Sequence, residues 1–469
     1  MTAPVKSFAS PPHADLRGDR FDIVDPATGL AFASAALCDE FELEEAVQAA
    51  LIAQPKWASS LADRRNALGE CAKLITRAQD ALAHLITLEQ GKPLVEARRE
   101  VAYTAAQFSS HANLALPPEL LGHDDRARTL LLQRPFGVVG VITPWNFPLG
   151  TAAVKLAPAL LAGNAVILKP SHHAPLSALR LHELLGEVLP RGILHTLSGG
   201  DHLGALIARH PRIRKVSLTG SISTGRSVLA DGVAELKSIT LELGGNDPAI
   251  ILPDANPRHI AQPLLAAAWR NAGQVCSAIK RVYVHETQFA PLLRTLQETA
   301  AGYAVGNGLL PTTRVGPLTT DEQRNRVNDL AARVVTAGGT LHVAGSCIGE
   351  SGYFVQPAIA TGVNDSHPLV SSEQFGPVLP ILTYDNIADA ITRANDSEFG
   401  LSASVWTKNQ NLGYEVGCQL HCGRVGINAH QRSSIAAPFG GWKHSGLGRE
   451  LGIWGVLAMC EAQVVNIFN

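Results

Sequence analysis

Two residues of this chain have the type and spacing for covalent chemistry. Glu242 stands in Glu242-Leu243-Gly244-Gly245, and Cys276 in Gly273-Gln274-Val275-Cys276, 34 positions further on. A thiolate attacks an electrophilic carbon, and a carboxylate can then act as general base to bring water to the covalent product. A free thiol with a pKa of about 8.5 is only a few per cent ionised at neutrality, so Cys276 needs activation by its neighbours or by a bound cofactor. Taken alone, such a cysteine is more often a buried, inert thiol. A third group accompanies the pair. In Thr143-Pro144-Trp145-Asn146-Phe147-Pro148 two prolines fix a turn and leave the Asn146 amide free to donate to a developing oxyanion. The alternative is a rigid turn with aromatic packing.

Two further segments suit a phosphate or a ribose. Lys169-Pro170-Ser171 sits just past the apolar stretch ending at Leu168, where a strand's carboxyl end would aim the lysine at hydroxyls or phosphate. Thr219-Gly220-Ser221-Ile222-Ser223-Thr224-Gly225 follows another apolar stretch and opens a helix, whose N–H groups and dipole can hold a pyrophosphate. Its glycine spacing matches neither the dinucleotide fingerprint nor a P-loop, so an ordinary capped helix start stays open, as does a plain loop charge for Lys169.

The elements that must position these residues read as alternating β and α units. Gly137 to Ile142, Ala165 to Leu168 and Lys215 to Leu218 are short β-rich stretches separated by helical segments, which predicts a parallel sheet. A second α/β series runs from about Pro248 to Tyr384, and Glu461 to Phe468 reads as a terminal strand. Thr129 to Arg134 looks like an extended arm. Glu42 to Thr104 is mostly helical by periodicity, with Pro55 expected to separate one helix from the next and Gly91-Lys92-Pro93 to interrupt again. Asp25-Pro26-Ala27-Thr28-Gly29 reads as a turn.

Composition narrows the class. At 469 residues the chain has room for two or three domains, and 46% hydrophobic with 17% charged residues is ordinary for a globular protein. A formal net charge of −2 gives no field for nucleic acid or anionic lipid. No run of about 18 apolar residues suggests a transmembrane helix, and Met1 to Pro11 lacks the pattern of a secretory signal. Seven scattered cysteines, an odd count without framework spacing, favour reduced thiols and a cytoplasmic setting. Cys418 and Cys422, with His421 between, are one helical turn apart and read as a helix face, so no metal site is expected.

Together the motifs resemble the aldehyde dehydrogenase superfamily, from Asp25 to the final strand. The resemblance is carried by Pro144-Trp145-Asn146-Phe147-Pro148, Lys169-Pro170-Ser171, Glu242-Leu243-Gly244-Gly245 and Gly273-Gln274-Val275-Cys276. It continues through Glu373-Gln374-Phe375-Gly376-Pro377 and Pro438-Phe439-Gly440-Gly441-Trp442-Lys443-His444-Ser445-Gly446. It implies an α/β fold with a Rossmann-type cofactor domain over 1–112 and 136–244 and an α/β catalytic domain over 245–443. A small β oligomerisation flap is expected from the arm 113–135 and the tail 444–469, and with it a homodimer or homotetramer. In the family's scheme Cys276 attacks an aldehyde, the Asn146 amide and the Cys276 N–H hold the oxyanion, and hydride leaves to NAD(P). Glu242 then activates water to release the acid from the thioester. Members that pass the acyl group to coenzyme A lack that glutamate. Lys169 and Glu373 would take the adenosine and nicotinamide ribose hydroxyls, with Gly220, Ser221 and Gly225 near the pyrophosphate, Phe375 beside the nicotinamide ribose, and Trp145 also among the cofactor-binding residues.

The chain departs from the pattern at two places. Where NAD-preferring members often carry Glu two after the proline of the Lys-Pro pair, His172 stands here, followed by His173. An acceptor-only carboxylate would repel a 2′-phosphate and an imidazole would not, so the expectation leans to NADP, with NAD and a merely solvated histidine left open. Succinate-semialdehyde dehydrogenases resemble the chain at Arg270 and Ser434, where they hold a distal carboxylate. Their other pocket arginine is Val154 here, with Arg432 a candidate substitute. A structural ion pair for Arg270 stays equally open. Phe147 and Phe439 would wall the pocket. The alternative to an enzyme is a cofactor-binding protein that kept the fold without turnover, since fold alone does not establish function.

Overall fold

The computed structural model describes residues 19–116, 118–123, 127–345, 351–430 and 434–468. The chain opens with a hairpin of β1 (Arg20–Asp25) and β2 (Leu30–Ala36), turned by the Asp25-to-Gly29 segment. Four helices follow, α1 (Glu40–Ala58), α2 (Leu61–Arg77), α3 (Gln79–Gln90) and α4 (Leu94–Ala112). A capping box starts α1, with the Phe41 N–H donating to Asp39 at 2.7 Å and the Asp39 N–H to Glu42 at 2.9 Å. Pro55 does not separate one helix from the next. It lies inside α1, forfeiting one backbone bond, because Trp57 Nε1 donates to the Leu160 carbonyl at 3.1 Å and holds the last turn in place. The break comes at Ser59 and Ser60, where Ser60 caps α2. The interruption at Gly91-Lys92-Pro93 does end α3.

β3 (Glu119–His123) and β4 (Ala127–Pro135) form a three-stranded antiparallel sheet with the chain's last strand, Cys460–Phe468. Between them in sequence comes the first large sheet. Its parallel strands are β5 (Val138–Ile142), β6 (Ala165–Lys169), β7 (Leu194–Thr196), β8 (Lys215–Thr219) and β9 (Ser238–Glu242), in the order β9-β8-β5-β6-β7. Helices α5 (Pro148–Ala162), α6 (Leu176–Leu185), α7 (Asp201–Arg209) and α8 (Ile222–Gly232) connect them. All of β5, β6 and β8 is buried, as expected of a parallel sheet covered on both faces. The strand order reverses at β5, and ligands of such sheets bind beyond the carboxyl ends at that point.

The second sheet has seven strands. β10 (Asp247–Ile251) is an interior strand that pairs in parallel with β11 (Ile279–His285) and with Ser402–Trp406, and only Thr340–Val343 at one edge runs antiparallel. The nucleophile segment lies between α9 (Pro257–Trp269) and β11. This is the α/β fold with a Rossmann-like cofactor sheet that the motifs imply. One pairing was not expected: Gly446–Leu447 adds an antiparallel edge to β9, with Gly446 opposite Glu242. Ser445 thereby reaches the segment after Glu242. Its carbonyl accepts from the Leu243 N–H at 2.9 Å and its hydroxyl donates to the Gly244 carbonyl at 2.7 Å.

Candidate active site

The backbone before Cys276 is bent into an uncommon shape. Asn271, Ala272 and Gly273 have φ of 50°, 54° and 76°, three left-handed residues in a row, two of them with side chains that disfavour it. Several contacts hold the bend. The fully buried Lys280 donates to the carbonyls of Gly273 at 2.8 Å and Val275 at 2.9 Å. Gln274 donates from Nε2 to the Asn271 carbonyl at 3.0 Å and accepts from the Thr319 N–H at 2.9 Å. The result sets Cys276 close enough to Glu242 for the carboxyl to act on the thiol. That approach needs Gly245, where a Cβ would come 2.5 Å from the Cys276 carbonyl oxygen.

Electrostatics keep this pair neutral at rest. Burial, then the nearby Glu450, pushes Glu242 up to about 8, and its Oε1 has no hydrogen-bond partner. Burial, then Glu242 itself, raises the Cys276 thiol well above its ordinary value. Glu450 is itself buried, ion-paired to the buried Lys155, and accepts from Ser217 Oγ at 3.2 Å.

Asn146 follows β5 and is buried against the nucleophile segment. Its Nδ2 donates to the Gln274 carbonyl at 2.9 Å, two residues before Cys276, and its Oδ1 accepts from the Phe147 N–H at 3.1 Å. The amide's oxygen and nitrogen are thereby told apart, and one N–H remains for another acceptor.

The candidate cofactor residues cluster at the carboxyl ends of the first sheet and on the Glu373 loop. Lys169 is buried, its ammonium offered only a weak 3.4 Å contact from the Pro170 carbonyl, and burial lowers it to about 8. His172 and His173 lie beside it, ring centroids 3.9 Å apart, and burial lowers both. Ser221 caps α8, accepting from the Thr224 N–H at 3.1 Å, next to Gly220. Gly225, one turn on, lies against Leu243, where a Cβ would come within 2.7 Å of the leucine. Glu373 accepts from the Gly245 N–H at 3.2 Å, and burial pushes it up to about 7 against the pull of Lys280. Trp145 and Phe375 meet edge to face at 5.5 Å.

The Arg270 guanidinium lies 5.0 Å from the Phe147 ring centroid, and burial raises the nearby Glu96 carboxyl with Arg270 pulling against it. Arg270 forms no ion pair within bonding distance among the described residues. Phe439 exchanges backbone hydrogen bonds with Glu450, and the Arg424 guanidinium lies 4.9 Å over its ring. Ser434 is exposed and its hydroxyl accepts from the Ala436 N–H at 3.1 Å, a local turn rather than a contact with Arg270. Arg432 lies outside the described residues. Cys418 and Cys422 do not share a helix face. Their helix, Gln410–Gly417, stops short of both, leaving Cys418 exposed and Cys422 buried with its thiol donating to the Arg424 carbonyl at 3.3 Å. Among the described residues no three metal-ligating side chains converge.

Lys92, Glu100, Lys155, Lys280 and Glu450 escaped sequence reasoning. Two left a trace: Lys155 and Lys280 interrupt apolar runs that become a buried helix and a buried strand, where an unpaired ammonium would be costly.

This geometry agrees with the chain's relatives. Residues 13–465 match the aldehyde dehydrogenase family, and the chain belongs to it. It is 35% identical over 456 residues to the NADP-dependent succinate-semialdehyde dehydrogenase of Escherichia coli (strain K12), covering 96% of this chain and 95% of that one. It is 35% identical to the glutarate-semialdehyde dehydrogenase of Pseudomonas aeruginosa, covering 94% and 92%. The NAD+ complex of an aldehyde dehydrogenase from Bacillus cereus superposes with a TM-score of 0.93 at 34% identity, covering 96% of this chain and 93% of that one. The protein is an NAD(P)-dependent enzyme that oxidises an aldehyde to a carboxylic acid through a cysteine-bound thiohemiacetal and thioester.

Proposed function

We propose that Cys276 is the nucleophile, Glu242 the base and Asn146 the oxyanion donor, acting on a semialdehyde that carries a carboxylate, with NADP preferred. The observation that carries the reading is the Cys276 thiol within electrostatic reach of the Glu242 carboxyl, on a segment whose Gln274 carbonyl accepts from the Asn146 amide, which keeps one free N–H. Attack by sulfur turns the carbonyl oxygen into an oxyanion, received by the Asn146 amide and the Cys276 N–H. When bound, the nicotinamide supplies the hydride acceptor. Glu242 takes a proton from water as it attacks the thioester, and Cys276 leaves as thiolate.

The chain's residues suit such a cofactor. Lys169 offers a buried, poorly satisfied ammonium to hydroxyls or phosphate, and the α8 start adds backbone donors. Glu373 offers a carboxyl to ribose hydroxyls. His172 in place of a carboxylate supports NADP, in keeping with the cofactor of the E. coli relative. His172→Glu should raise KM for NADP about tenfold through charge repulsion, leaving KM for NAD little changed. Equal shifts for both cofactors would remove His172 from the choice.

The carboxylate-bearing substrate is supported by the unpaired Arg270 and by what the two semialdehyde-oxidising relatives act on. Losing a charge-assisted hydrogen bond, Arg270→Ala should raise KM for succinate semialdehyde about 10- to 100-fold and that for pentanal less than about threefold. Equal effects on both would remove the carboxylate from the reading. A homodimer or homotetramer is supported by the exposed apolar residues Leu229 on α8, Val233 and Leu236 just beyond it, and Val464, Ile467 and Phe468 on the last strand. A cytoplasmic setting is supported by the free state of every described cysteine.

A further inference from the structure

Lys92, between α3 and α4, and Glu100 on α4 form an ion pair that the reaction scheme leaves unused. Lys92 and Glu100 are both fully buried, with Lys92 Nζ 2.5 Å from a Glu100 oxygen. The same ammonium donates to the backbone carbonyl of Asn146 at 2.6 Å and lies 3.7 Å from the Phe147 ring centroid. The other Glu100 oxygen accepts from the N–H groups of Leu149 at 2.9 Å and Gly150 at 3.0 Å, in the first turn of α5. One pair of opposite charges thus grips both sides of the turn that presents Asn146. Lys92 is anchored in turn: its N–H donates to Gln90 Oε1 at 3.1 Å, and Gln90 Nε2 donates to Thr319 Oγ1 at 3.0 Å. Thr319 is the residue whose N–H holds Gln274 of the nucleophile segment. Asn271, in that segment's bend, donates to the same Asn146 carbonyl at 2.9 Å.

A buried ion pair is a poor way to gain stability, since apolar residues of like volume usually do as well or better. What charge adds is direction. An oxyanion donor works only when its N–H is held near 3 Å from where the oxygen will be, and losing one costs about 10²- to 10³-fold in rate. We propose that Lys92 and Glu100 are the positioning pair of the oxyanion site, fixing the peptide of Asn146 so that its side-chain amide meets the oxygen formed on attack by Cys276. This rests on Asn146 being the oxyanion donor. Neither residue touches the substrate, so the effect belongs to the transition state and should fall on kcat more than on KM.

Lys92→Met alone strands a buried carboxylate and risks misfolding. The test therefore uses Lys92→Met with Glu100→Gln, which removes both charges and keeps an acceptor for the α5 N–H groups. Aldehyde oxidation is compared with alkylation of Cys276 by iodoacetamide, followed by peptide mass spectrometry, because displacement of iodide at a saturated carbon forms no oxyanion. The double variant should oxidise aldehyde about 100-fold more slowly, near the loss expected for Asn146→Ala. It should alkylate Cys276 and bind NADPH within about threefold of the unaltered enzyme, and adding Asn146→Ala should cost it no more than about threefold further. Oxidation within threefold of the unaltered enzyme would overturn the proposal. So would an alkylation rate that falls with oxidation, which marks a structural role, or a full additional loss from Asn146→Ala. If Asn146→Ala alone leaves oxidation intact, the oxyanion assignment itself fails; if it is damaging while the double variant is not, only the positioning pair fails.

Discussion

Cys276→Ala enzyme should bind NAD and NADP as the unaltered enzyme does and lose aldehyde oxidation by at least about 10⁴-fold, since removal of a catalytic nucleophile typically takes the rate down to residual levels. No other described thiol is placed to substitute. Burial pushes Cys71 and Cys422 up to about 12, and Cys38 and Cys460 up to about 11, and none of these lies against Glu242. Cys418 is exposed, beyond a helix end and beside Tyr414. The Cys276 thiol is itself raised at rest, so its competence depends on what lies against it. An oxyanion donor beside the thiol pulls the addition forward without requiring Glu242 in that step. Cofactor fluorescence titration checks binding and NAD(P)H absorbance checks turnover. Oxidation that survives the substitution would sink the covalent mechanism at this residue.

The features of the site legible in sequence are those whose shape is written locally. Pro144 and Pro148 around Asn146, the small Gly245 beside Glu242 and the Gly273 bend before Cys276 each do their work within a few residues of the group they present. The parallel strands were legible for a similar reason, because strands buried on both faces read as unbroken apolar runs. Local patterns misled where a distant contact outweighed them. Pro55 stays inside a helix because Trp57 reaches the Leu160 carbonyl, and Cys418 and Cys422 diverge because their helix ends early. Other groups were hidden because long-range pairing makes them what they are. Glu450 sits among surface-type residues, yet the backbone bridge to Phe439 turns it inward to Lys155 and Ser217, where it raises Glu242. Lys92 occupies an ordinary helix break until Asn146 and Glu100 close around it.

Glu242→Gln should separate the two halves of the reaction. The glutamine keeps the carboxyl's shape but cannot take a proton from water, so the thioester should form and then persist. Steady-state kcat should fall by about 10²- to 10⁴-fold, while rapid mixing shows a burst of NAD(P)H approaching one equivalent per site. A trace without a burst would move the carboxyl's necessary role to the first step. The pH profile follows from the same burial. With Glu242 raised to about 8, the base form is scarce at pH 6, and kcat of the unaltered enzyme should climb through the pH 7 to 9 range, a limb the variant lacks. Stability must move the opposite way. An unfolded chain ionises this carboxyl near its ordinary 4.5, whereas the folded chain holds the proton to about 8, so the folded state binds more protons across that window and loses stability as pH rises through it. Glutamine removes that loss. The variant's melting temperature, compared with the parent's at pH 6 and pH 9, should gain most at pH 9; an equal gain, or none, at both pH values would mean that the carboxyl is already ionised in the folded enzyme at neutrality, and that the base needs no proton removed before it acts.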